Sequence, residues 1–359
     1  GTFVKTLANQ LINQGVDVCT VGLNYLPKDE IEEDNGVKIH RLKRGRVSGF
    51  KWLENSWSIY SKLKEIHKKK TIDIIDAPEL SYAFLPKIKG VKYIIRLHGG
   101  HHFFAESEKR SINLWKGYQE KKSFKKADAF IGVSNYVVKH TSKFLSFCGK
   151  KTEIIRYPIN TNLFKHNEDI DFEPYKIVFA GTLCDKKGVY ELLEAFKIVK
   201  QKYNNATLEL YGRDLVKNGI SYIEGLKNKK SDLFKNVEIN GSVDHNTLPS
   251  IYSKAEVCVF PSHMETQGLV APEAMASGRP VIFSNTGPGS ETIIDKVTGR
   301  LCNPYDSTDI AEKIIWLFEN RKLVPKMTVK ARNFVEENFG LEKNTMKNIK
   351  FYKSVTIDN

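Results

Sequence analysis

Short apolar runs alternate with longer amphipathic segments along the first half of this chain. The apolar runs predict strands, and segments with apolar residues every three or four positions predict helices. Such alternation is typical of a mainly parallel sheet with helices on both faces. The predicted strands are Val16–Gly22, Val37–Leu42, Ile72–Asp76, Val91–Leu97, Ala127–Val133 and Glu153–Arg156, and the predicted helices are Thr2–Gln14, Trp52–Lys69, Glu79–Lys89, Lys109–Lys125 and Asn135–Leu145.

The second half repeats this pattern more regularly. Its predicted strands are Lys176–Ala180, Thr207–Tyr211, Val237–Asn240, Glu256–Phe260, Val281–Phe283 and Arg300–Cys302, with helices in most of the gaps. The polar segment Asn160–Pro174 is a candidate linker, and Leu341–Val355 is a final predicted helix. We therefore predict two α/β domains, residues 1–165 and 166–340, followed by a C-terminal helix within residues 341–359.

The chain opens on a helical pattern. Thr2–Gln14 places apolar residues on one face and is followed by Gly15. A Rossmann-like domain should present a strand and a glycine-rich turn before such a helix. We therefore expect the first strand of the fold to precede Gly1.

Composition narrows the class of protein. The chain has 359 residues, of which 41% are hydrophobic and 27% are charged, as in soluble globular proteins. The formal net charge is +14, and all of the excess lies in residues 1–165, which hold 30 Lys and Arg against 16 Asp and Glu. We find no zinc finger, RNA-binding aromatic motif or recognition helix, so nucleic acid is not an expected partner.

The cysteines indicate neither disulfides nor a metal site. Cys19, Cys148, Cys184, Cys258 and Cys302 are scattered, without a C-x-x-C pair and without histidines at zinc-binding spacing. Scattered, unpaired cysteines are typical of a reducing compartment, so we expect a cytoplasmic protein. No His/Asp cluster indicates a divalent metal, and no cofactor is expected.

Two acids flank a glycine turn in the second half. Glu265 and Glu273 lie on either side of Gly268, after the apolar run Val257–Phe260. Ligands bind beyond the carboxyl ends of strands in open α/β sheets, so this passage is a candidate site. We expect Pro272 at the first position of a short helix and Gly278 just after its end. The alternative is that Glu273 merely complements the helix dipole, for about 0.3–1 kcal/mol.

A second candidate segment follows the predicted strand Lys176–Ala180. It reads G-T-L-C-D-K-K-G over residues 181–188 and leads into a helix. A turn of this kind can place backbone N–H groups, a helix N-terminus and the Lys187 ammonium around a phosphate. The alternative for Lys187 is a solvated surface lysine.

These segments together resemble the donor-site signature of retaining glycosyltransferases of family 4. The match consists of Glu265, seven intervening residues, Glu273 and the run A-M-A-S-G-R-P-V-I over residues 274–282. The chain departs from the family at Gln267, where phenylalanine is usual, and at Thr182, where arginine is usual. The resemblance implies the GT-B fold, in which two Rossmann-like domains face each other across a cleft and the last helix crosses back to the first domain.

The resemblance also implies roles for individual residues. Gly181, Thr182 and Lys187 would hold the donor diphosphate, with Lys186, Arg213 or a first-domain residue replacing the missing arginine. Glu265 would bind hydroxyls of the transferred sugar, Glu273 would bind the ribose, and the N–H groups of Gly268, Leu269 and Val270 would support the donor. His98 ends a predicted strand and matches the family's His-Gly element, which reaches the donor sugar near the transfer point. His101 and His102 have no such match and lack an evident carboxylate partner for a metal.

The resulting hypothesis is a retaining, metal-independent glycosyltransferase that moves a hexose-type sugar from a nucleotide diphosphate sugar to a glycan or lipid-linked acceptor. Its expected context is cell-surface polysaccharide or glycolipid synthesis. Two alternatives remain open, a nucleotide-sugar epimerase of GT-B fold and a non-catalytic nucleotide-sugar-binding protein.

The basic first half adds a hypothesis about membranes. Residues 109–126 mix apolar and aromatic side chains with lysines, including Trp115, Tyr118, Lys121 and Lys122. Such a helix can lie on an anionic inner-leaflet surface, and the protein would then be peripheral on the inner membrane. The alternative is a solvated helix face above a buried apolar stripe.

Overall fold

The computed structural model describes residues 2–47, 49–108, 110–166 and 171–357. The chain forms two compact units, an N-terminal unit of Gly1–Pro158 with Glu342–Asn359 and a C-terminal unit of Ile159–Leu341. The sequence predicted a division after residue 165. Residues 167–170 of the predicted linker lie outside the described residues.

The N-terminal unit contains a three-stranded and a four-stranded sheet. The three-stranded sheet has the order β1-β3-β2, and the four-stranded sheet is parallel throughout with the order β4-β5-β6-β7. Its elements are α1 (Thr2–Asn13), β1 (Cys19–Leu23), β2 (Glu30–Asp34), β3 (Val37–Leu42), α2 (Lys51–Lys69), β4 (Ile74–Pro78), β5 (Lys92–Leu97), α3 (His101–Ser107), α4 (Leu114–Lys126), β6 (Ala129–Gly132), α5 (Asn135–Thr141) and β7 (Thr152–Ile154).

Prediction and structure differ at four elements of this unit. Strand β2 was missed because its sequence, E-I-E-E-D, is polar, and it pairs antiparallel with β3 at an edge of its sheet. The predicted helix Glu79–Lys89 is a series of turns, because Pro86 lacks a backbone donor and interrupts helical bonding. The predicted helix Lys109–Lys125 is present only from Leu114 onward, as α4. Helix α3 was not predicted. Lys109 itself lies outside the described residues.

Tyr82 explains why residues 79–89 form turns instead of the predicted helix. Its ring is fully buried, and its hydroxyl lies 2.7 Å from the carbonyl oxygens of both Ile75 and Ile94. These carbonyls belong to the neighbouring strands β4 and β5. The tyrosine therefore fixes the segment to the sheet through contacts that helical periodicity does not reveal.

The C-terminal unit is built on one six-stranded parallel sheet of order β12-β9-β8-β13-β14-β15. Strands β8, β13 and β14 are buried on both faces, as their continuous apolar runs predict. The elements are β8 (Lys176–Ala180), α6 (Val189–Lys202), β9 (Thr207–Tyr211), β10 (Val216–Lys217), β11 (Ile220–Ser221), α7 (Tyr222–Lys229), β12 (Val237–Gly241), α8 (Leu248–Lys254), β13 (Val257–Phe260), α9 (Val270–Ala276), β14 (Val281–Ser284), α10 (Gly289–Thr292), β15 (Arg300–Cys302), α11 (Ser307–Glu319) and α12 (Val324–Phe339).

The last helix, α13 (Leu341–Ile357), packs within the N-terminal unit. Ile349 contacts Leu7 and Leu11 of α1, and Phe351 and Val355 join the core of the four-stranded sheet. Tyr352 of α13 donates its hydroxyl proton to Asp76 over 2.7 Å. The C-terminal helix is therefore part of the core beneath β4 and β5.

Candidate functional site

The strand order of the C-terminal sheet reverses between β8 and β13, which are neighbours. Chain connections leave these two strands in opposite directions across the sheet, so a crevice opens beyond their carboxyl ends. The 181–188 turn follows β8, and the passage 261–269 follows β13. The two segments that the sequence singled out therefore meet at the switch point of one sheet.

Backbone contacts join these two segments directly. The His263 N–H donates to the Lys186 carbonyl over 3.0 Å. Gly188 has a φ of +66°, and a Cβ there would lie 2.0 Å from the Pro261 carbonyl oxygen. Only glycine fits this left-handed position and close approach without displacing Pro261.

Lys187 and Glu265 form an ion pair at this point. The Lys187 ammonium donates to Glu265 Oε1, and the Ser262 hydroxyl donates to the same oxygen over 3.2 Å. Their side chains keep 23% and 14% of their exposure, so both groups can still reach a ligand. The structure thus brings together two of the three predicted catalytic residues.

The 181–188 turn is shaped to approach an anion. Gly181 and Gly212 lie so close that a Cβ on Gly212 would be 1.8 Å from the Gly181 carbonyl oxygen. Helix α6 then starts at Val189 without a side-chain cap, which leaves N–H groups of its first turn open. A helix N-terminus next to Lys187 favours a phosphate at this position.

Arg213 lies beside Thr182, the position that lacks the usual arginine. The Leu183 N–H donates to the Arg213 carbonyl over 2.9 Å, so the two loops run side by side. Arg213 is exposed, and in the described part of the chain its guanidinium forms no ion pair. Arg213 is therefore a cation close to the 181–188 turn.

Gly268 turns the chain between the two acids. Its φ is +76°, and a Cβ there would lie 2.6 Å from Phe283 Cζ. Gln267 beside it is 1% exposed, so the departure from the family's phenylalanine falls on a buried position. Leu269 precedes the first turn of α9 at Val270, and the prediction for Pro272 was wrong because the helix begins two residues before it. Gly278 takes the left-handed position after α9, as predicted.

Glu273 is buried and hydrogen-bonded to His245. Glu273 is 5% exposed, and its Oε1 lies 2.8 Å from His245 Nε2. Burial raises the pKa of Glu273, although the hydrogen bond to His245 opposes this. The same hydrogen bond raises the pKa of His245. The pair can therefore hold or exchange a proton at the predicted ribose-binding residue.

Sequence reasoning missed His245. It follows the carboxyl end of β12, in a short turn over His245–Thr247. The only signal available was a polar residue just beyond a predicted strand. Its partner Glu273 lies 28 residues later, so the pairing depends on the fold.

His98 lies in the N-terminal unit, just after β5. Its backbone N–H donates to Glu79 Oε1 over 2.6 Å, and its ring Nδ1 is hydrogen-bonded to the Tyr157 hydroxyl. Burial, with a contribution from the Arg96 charge, lowers the pKa of His98 to about 4. The imidazole is therefore neutral at neutral pH.

Two buried acids hold the loop after His98. Glu79 is 3% exposed, and Glu120 is fully buried and accepts the N–H groups of His101 and His102 over 2.9 and 3.0 Å. Burial raises the pKa of Glu79 to about 8. Glu120 also binds His102 Nδ1, a contact that the sequence did not predict. Across the described ranges, no group of three His, Cys, Asp or Glu side chains could hold a metal ion.

Two family models match this chain. The model described as Glycosyl transferases group 1 matches residues 160–334, and the model of Glycosyltransferase Family 4 matches residues 1–163. An uncharacterized glycosyltransferase of Methanocaldococcus jannaschii is 27% identical over 349 residues, which cover 94% of this chain and 91% of the relative. The capsular polysaccharide biosynthesis glycosyltransferase CapM of Staphylococcus aureus is 31% identical over 168 residues, covering 46% of this chain and 42% of CapM.

Solved structures show the same fold over the whole chain. Sucrose-phosphate synthase from Thermosynechococcus elongatus superposes with a TM-score of 0.86 at 23% identity, covering 100% of this chain and 94% of that protein. Anabaena HepE in complex with UDP and glucose superposes with a TM-score of 0.78 at 15% identity, covering 98% and 95%. These likenesses show the two-domain GT-B fold that the sequence predicted. With both family models matching in the expected order, the chain belongs to the group 1 glycosyltransferases of family 4.

Proposed function

We propose that this glycosyltransferase moves a hexose-type sugar from a nucleotide diphosphate sugar to a glycan or lipid-linked acceptor, with retention of anomeric configuration. The observation that supports this most strongly is the Lys187–Glu265 ion pair at the switch point of the C-terminal sheet. One partner has the charge that a diphosphate requires, and the other has the oxygens that sugar hydroxyls require.

Charge separation defines what the site must do. Breaking the bond between the anomeric carbon and the phosphate oxygen leaves negative charge on the diphosphate and positive charge on the sugar. Lys187, Arg213 and the open N–H groups of α6 would stabilise the diphosphate, an electrostatic contribution that is often the largest in catalysis. We propose that these fixed charges replace a divalent metal.

The acids and the glycine turn would hold the rest of the donor. Glu265 would bind sugar hydroxyls when the Lys187 ammonium turns to the diphosphate, and the N–H groups of Gly268 to Val270 would support it. Glu273 would accept hydrogen bonds from the ribose, with His245 as its second partner. We propose that the acceptor attacks on the face that the diphosphate leaves, and that the diphosphate takes the acceptor proton. The resemblance assigns His98 to the transferred sugar, and we propose that role for it here.

The similar proteins indicate which donor and which acceptor should be tested first. HepE was solved with UDP and glucose, which favours a uridine diphosphate hexose as the first donor to test. CapM acts in capsular polysaccharide biosynthesis, which favours a surface glycan or its lipid-linked precursor as acceptor. We propose a cytoplasmic enzyme that works at the inner face of the membrane.

A surface of the N-terminal unit supports that location. Helix α4 turns Gly117, Glu120 and Ser123 inward, whereas Leu114 and Trp115 remain 87% and 45% exposed. This is the reverse of an ordinary amphipathic helix, so the alternative of a buried apolar stripe explains only Phe124. Trp115 packs on one side against Phe84 and stays partly open to solvent, and Leu114 is almost fully exposed.

Helix α2 extends this surface. Trp52 and Trp115 lie with ring centroids 5.4 Å apart, which joins α2 to α4, and Trp57 is 64% exposed. Lys116, Lys121 and Lys125 are exposed on α4, and the unit contains 33 Lys and Arg against 18 Asp and Glu. Exposed tryptophans in a unit that also has an excess of lysines suit the interface of an anionic bilayer. No helix in the described residues is long and apolar enough to cross a membrane.

Donor binding and turnover test the enzymatic proposal. A thermal-shift screen with UDP-, GDP-, ADP- and dTDP-sugars should identify one donor, since a ligand at 100 times its Kd stabilises by about 2.7 kcal/mol. NMR of the product should then show the donor's anomeric configuration. An inverted product would contradict retention, product without acceptor would indicate an epimerase, and binding without any turnover would indicate a non-catalytic protein.

Vesicle co-sedimentation tests the membrane surface. We expect binding to vesicles with anionic lipid, weaker binding at high salt, and loss of binding on Trp57→Ala with Trp115→Ala. Leu323→Ala, which removes a 54% exposed side chain of the C-terminal unit, is the matched control. Equal binding to zwitterionic vesicles, or no effect of the tryptophan changes, would contradict the surface.

A further inference from the structure

The imidazole of His98 is held on three sides by the N-terminal unit. Its Nδ1 is hydrogen-bonded to the Tyr157 hydroxyl, and the two rings are nearly parallel at 13°, with centroids 5.6 Å apart. Phe3 packs edge-on against the His98 ring at 5.7 Å. Glu79 holds the His98 backbone N–H. The position and the plane of the ring are therefore both fixed.

The direction of the Tyr157–His98 hydrogen bond follows from the chemistry of the two groups. A neutral imidazole has one N–H and one acceptor nitrogen. A phenol is a better donor than acceptor, and Tyr157 is only 8% exposed, so its proton needs an acceptor nearby. With His98 Nδ1 as that acceptor, the ring proton lies on Nε2.

His98 Nε2 is left open to a ligand. It has no hydrogen-bond partner within the described residues. It is also not one of the side-chain atoms that are buried without such a partner, so it remains accessible. The neutral state of the ring is maintained by burial and by the positive Arg96 beside it. A neutral Nε2–H can donate to an oxygen but cannot accept a proton.

We propose that Tyr157 is a positioning residue that fixes His98 in the Nε2–H tautomer, so that His98 offers one neutral hydrogen-bond donor to an oxygen of the donor substrate. This inference rests on the proposed function of His98 at the donor sugar. It makes His98 a hydrogen-bond donor rather than a general base, which would need a pKa near the working pH. Turnover should then be insensitive to His98 ionisation above pH 6.

Tyr157 lies in the segment R-Y-P-I-N over residues 156–160. It follows β7 by three residues and is 59 residues from His98. The hydrogen bond therefore connects the end of β7 to the loop after β5.

NMR of protein with isotopically labelled histidine nitrogens shows which ring nitrogen of His98 carries the proton. The measurement requires no substrate. The wild type should show His98 as the Nε2–H tautomer between pH 6 and 8, with the signal assigned by its loss in His98→Gln. Tyr157→Phe should give a mixture of tautomers, whereas Tyr60→Phe, on α2 of the same unit, should leave the signal unchanged. An Nδ1–H tautomer in the wild type would overturn the proposal, even if Tyr157→Phe failed to fold.

Kinetics separate this role from a purely structural one. We expect Tyr157→Phe to lower kcat about 5- to 10-fold, the equivalent of one hydrogen bond, with donor KM changed by less than about twofold. A loss confined to KM, or an unchanged tautomer in Tyr157→Phe, would contradict the positioning role. If no sugar transfer were found at all, the NMR result would still decide the tautomer, so the two proposals fail separately.

Discussion

The ammonium of Lys187 is bound to Oε1 of Glu265, although the two residues are 78 positions apart in the chain. The pair joins the turn after β8 to the passage after β13, which are neighbouring strands. Both side chains remain partly exposed, and under the proposed function a donor would replace the mutual contact with contacts to its diphosphate and its sugar.

Removing the ammonium should affect activity far more than stability. We expect Lys187→Ala to lower kcat by about 10²–10³, the usual cost of losing a charge-stabilising donor. The free energy of unfolding should change by less than about 1 kcal/mol, since a partly exposed pair contributes little. Lys322→Ala, which removes an exposed lysine before α12, is the control. Equal losses of activity in both variants would refute the assignment of Lys187.

The same pair should behave as a unit in a double-mutant cycle. Because Glu265→Gln removes the carboxylate that Lys187 contacts, the effects of Lys187→Ala and Glu265→Gln on donor affinity should not add. Isothermal titration of the donor with both single variants and the double variant measures the coupling. Additive losses would mean that the two residues act independently.

Arg213 should supply the cation that Thr182 does not. We expect Arg213→Ala to weaken donor binding about tenfold, because a charge-assisted contact to phosphate contributes about 1.5–3 kcal/mol at most. Thr182→Arg should restore the affinity in the Arg213→Ala background. If Thr182→Arg instead strengthened binding equally with and without Arg213, Arg213 would not be the substitute.

Gly188 should be required for the turn after β8 to pack against the passage after β13. A Cβ at its left-handed position would collide with the Pro261 carbonyl at 2.0 Å, so Gly188→Ala should cost about 2 kcal/mol or more in stability. Gly219 is the matched control, since its φ is +80° but nothing lies within 4 Å of its added Cβ. Gly219→Ala should cost only about 1 kcal/mol. Thermal unfolding of the two variants measures the difference.

The His245–Glu273 pair should make stability depend on pH. The hydrogen bond to Glu273 raises the folded-state pKa of His245, so the protonated imidazole stabilises the fold. This contribution is complete below the unfolded pKa of about 6.5 and is lost as pH rises through the folded pKa. Urea unfolding at pH 6 and pH 8 should show lower stability at pH 8. His245→Gln should reduce that difference, and an unchanged difference would count against the pair.

Arg96 connects α13 to the four-stranded sheet and should dominate the stability of the N-terminal unit. Its guanidinium is 1% exposed and binds Asp76 and Asn348, with Nη2 2.7 Å from the Asn348 amide oxygen. Asp76→Asn leaves a buried cation without its counter-charge, so we expect a loss of about 3–5 kcal/mol. Limited proteolysis should then cut near α13 first. Glu32→Gln, which removes an exposed ion pair with Arg41, should cost less than about 1 kcal/mol.

The sequence by itself determined the class of fold and singled out the two segments that meet at the switch point of the C-terminal sheet. Continuous apolar runs such as Val257–Phe260 are what doubly buried parallel strands require, and they form strands of the six-stranded sheet. The segment from Glu265 to Gly278 predicts a glycine turn followed by a short helix, and the structure contains both, although the helix begins at Val270. These features depend on neighbours along the chain, so local pattern was sufficient.

Only the tertiary structure decided which side chains pair. Tyr82 turned a predicted helix into a loop by bonding to two strands, and His245 and Tyr157 found partners 28 and 59 residues away. Helical and strand periodicities report burial on one face of one element. They contain no information on which distant polar group faces that element, because sheet order and loop path fix that contact.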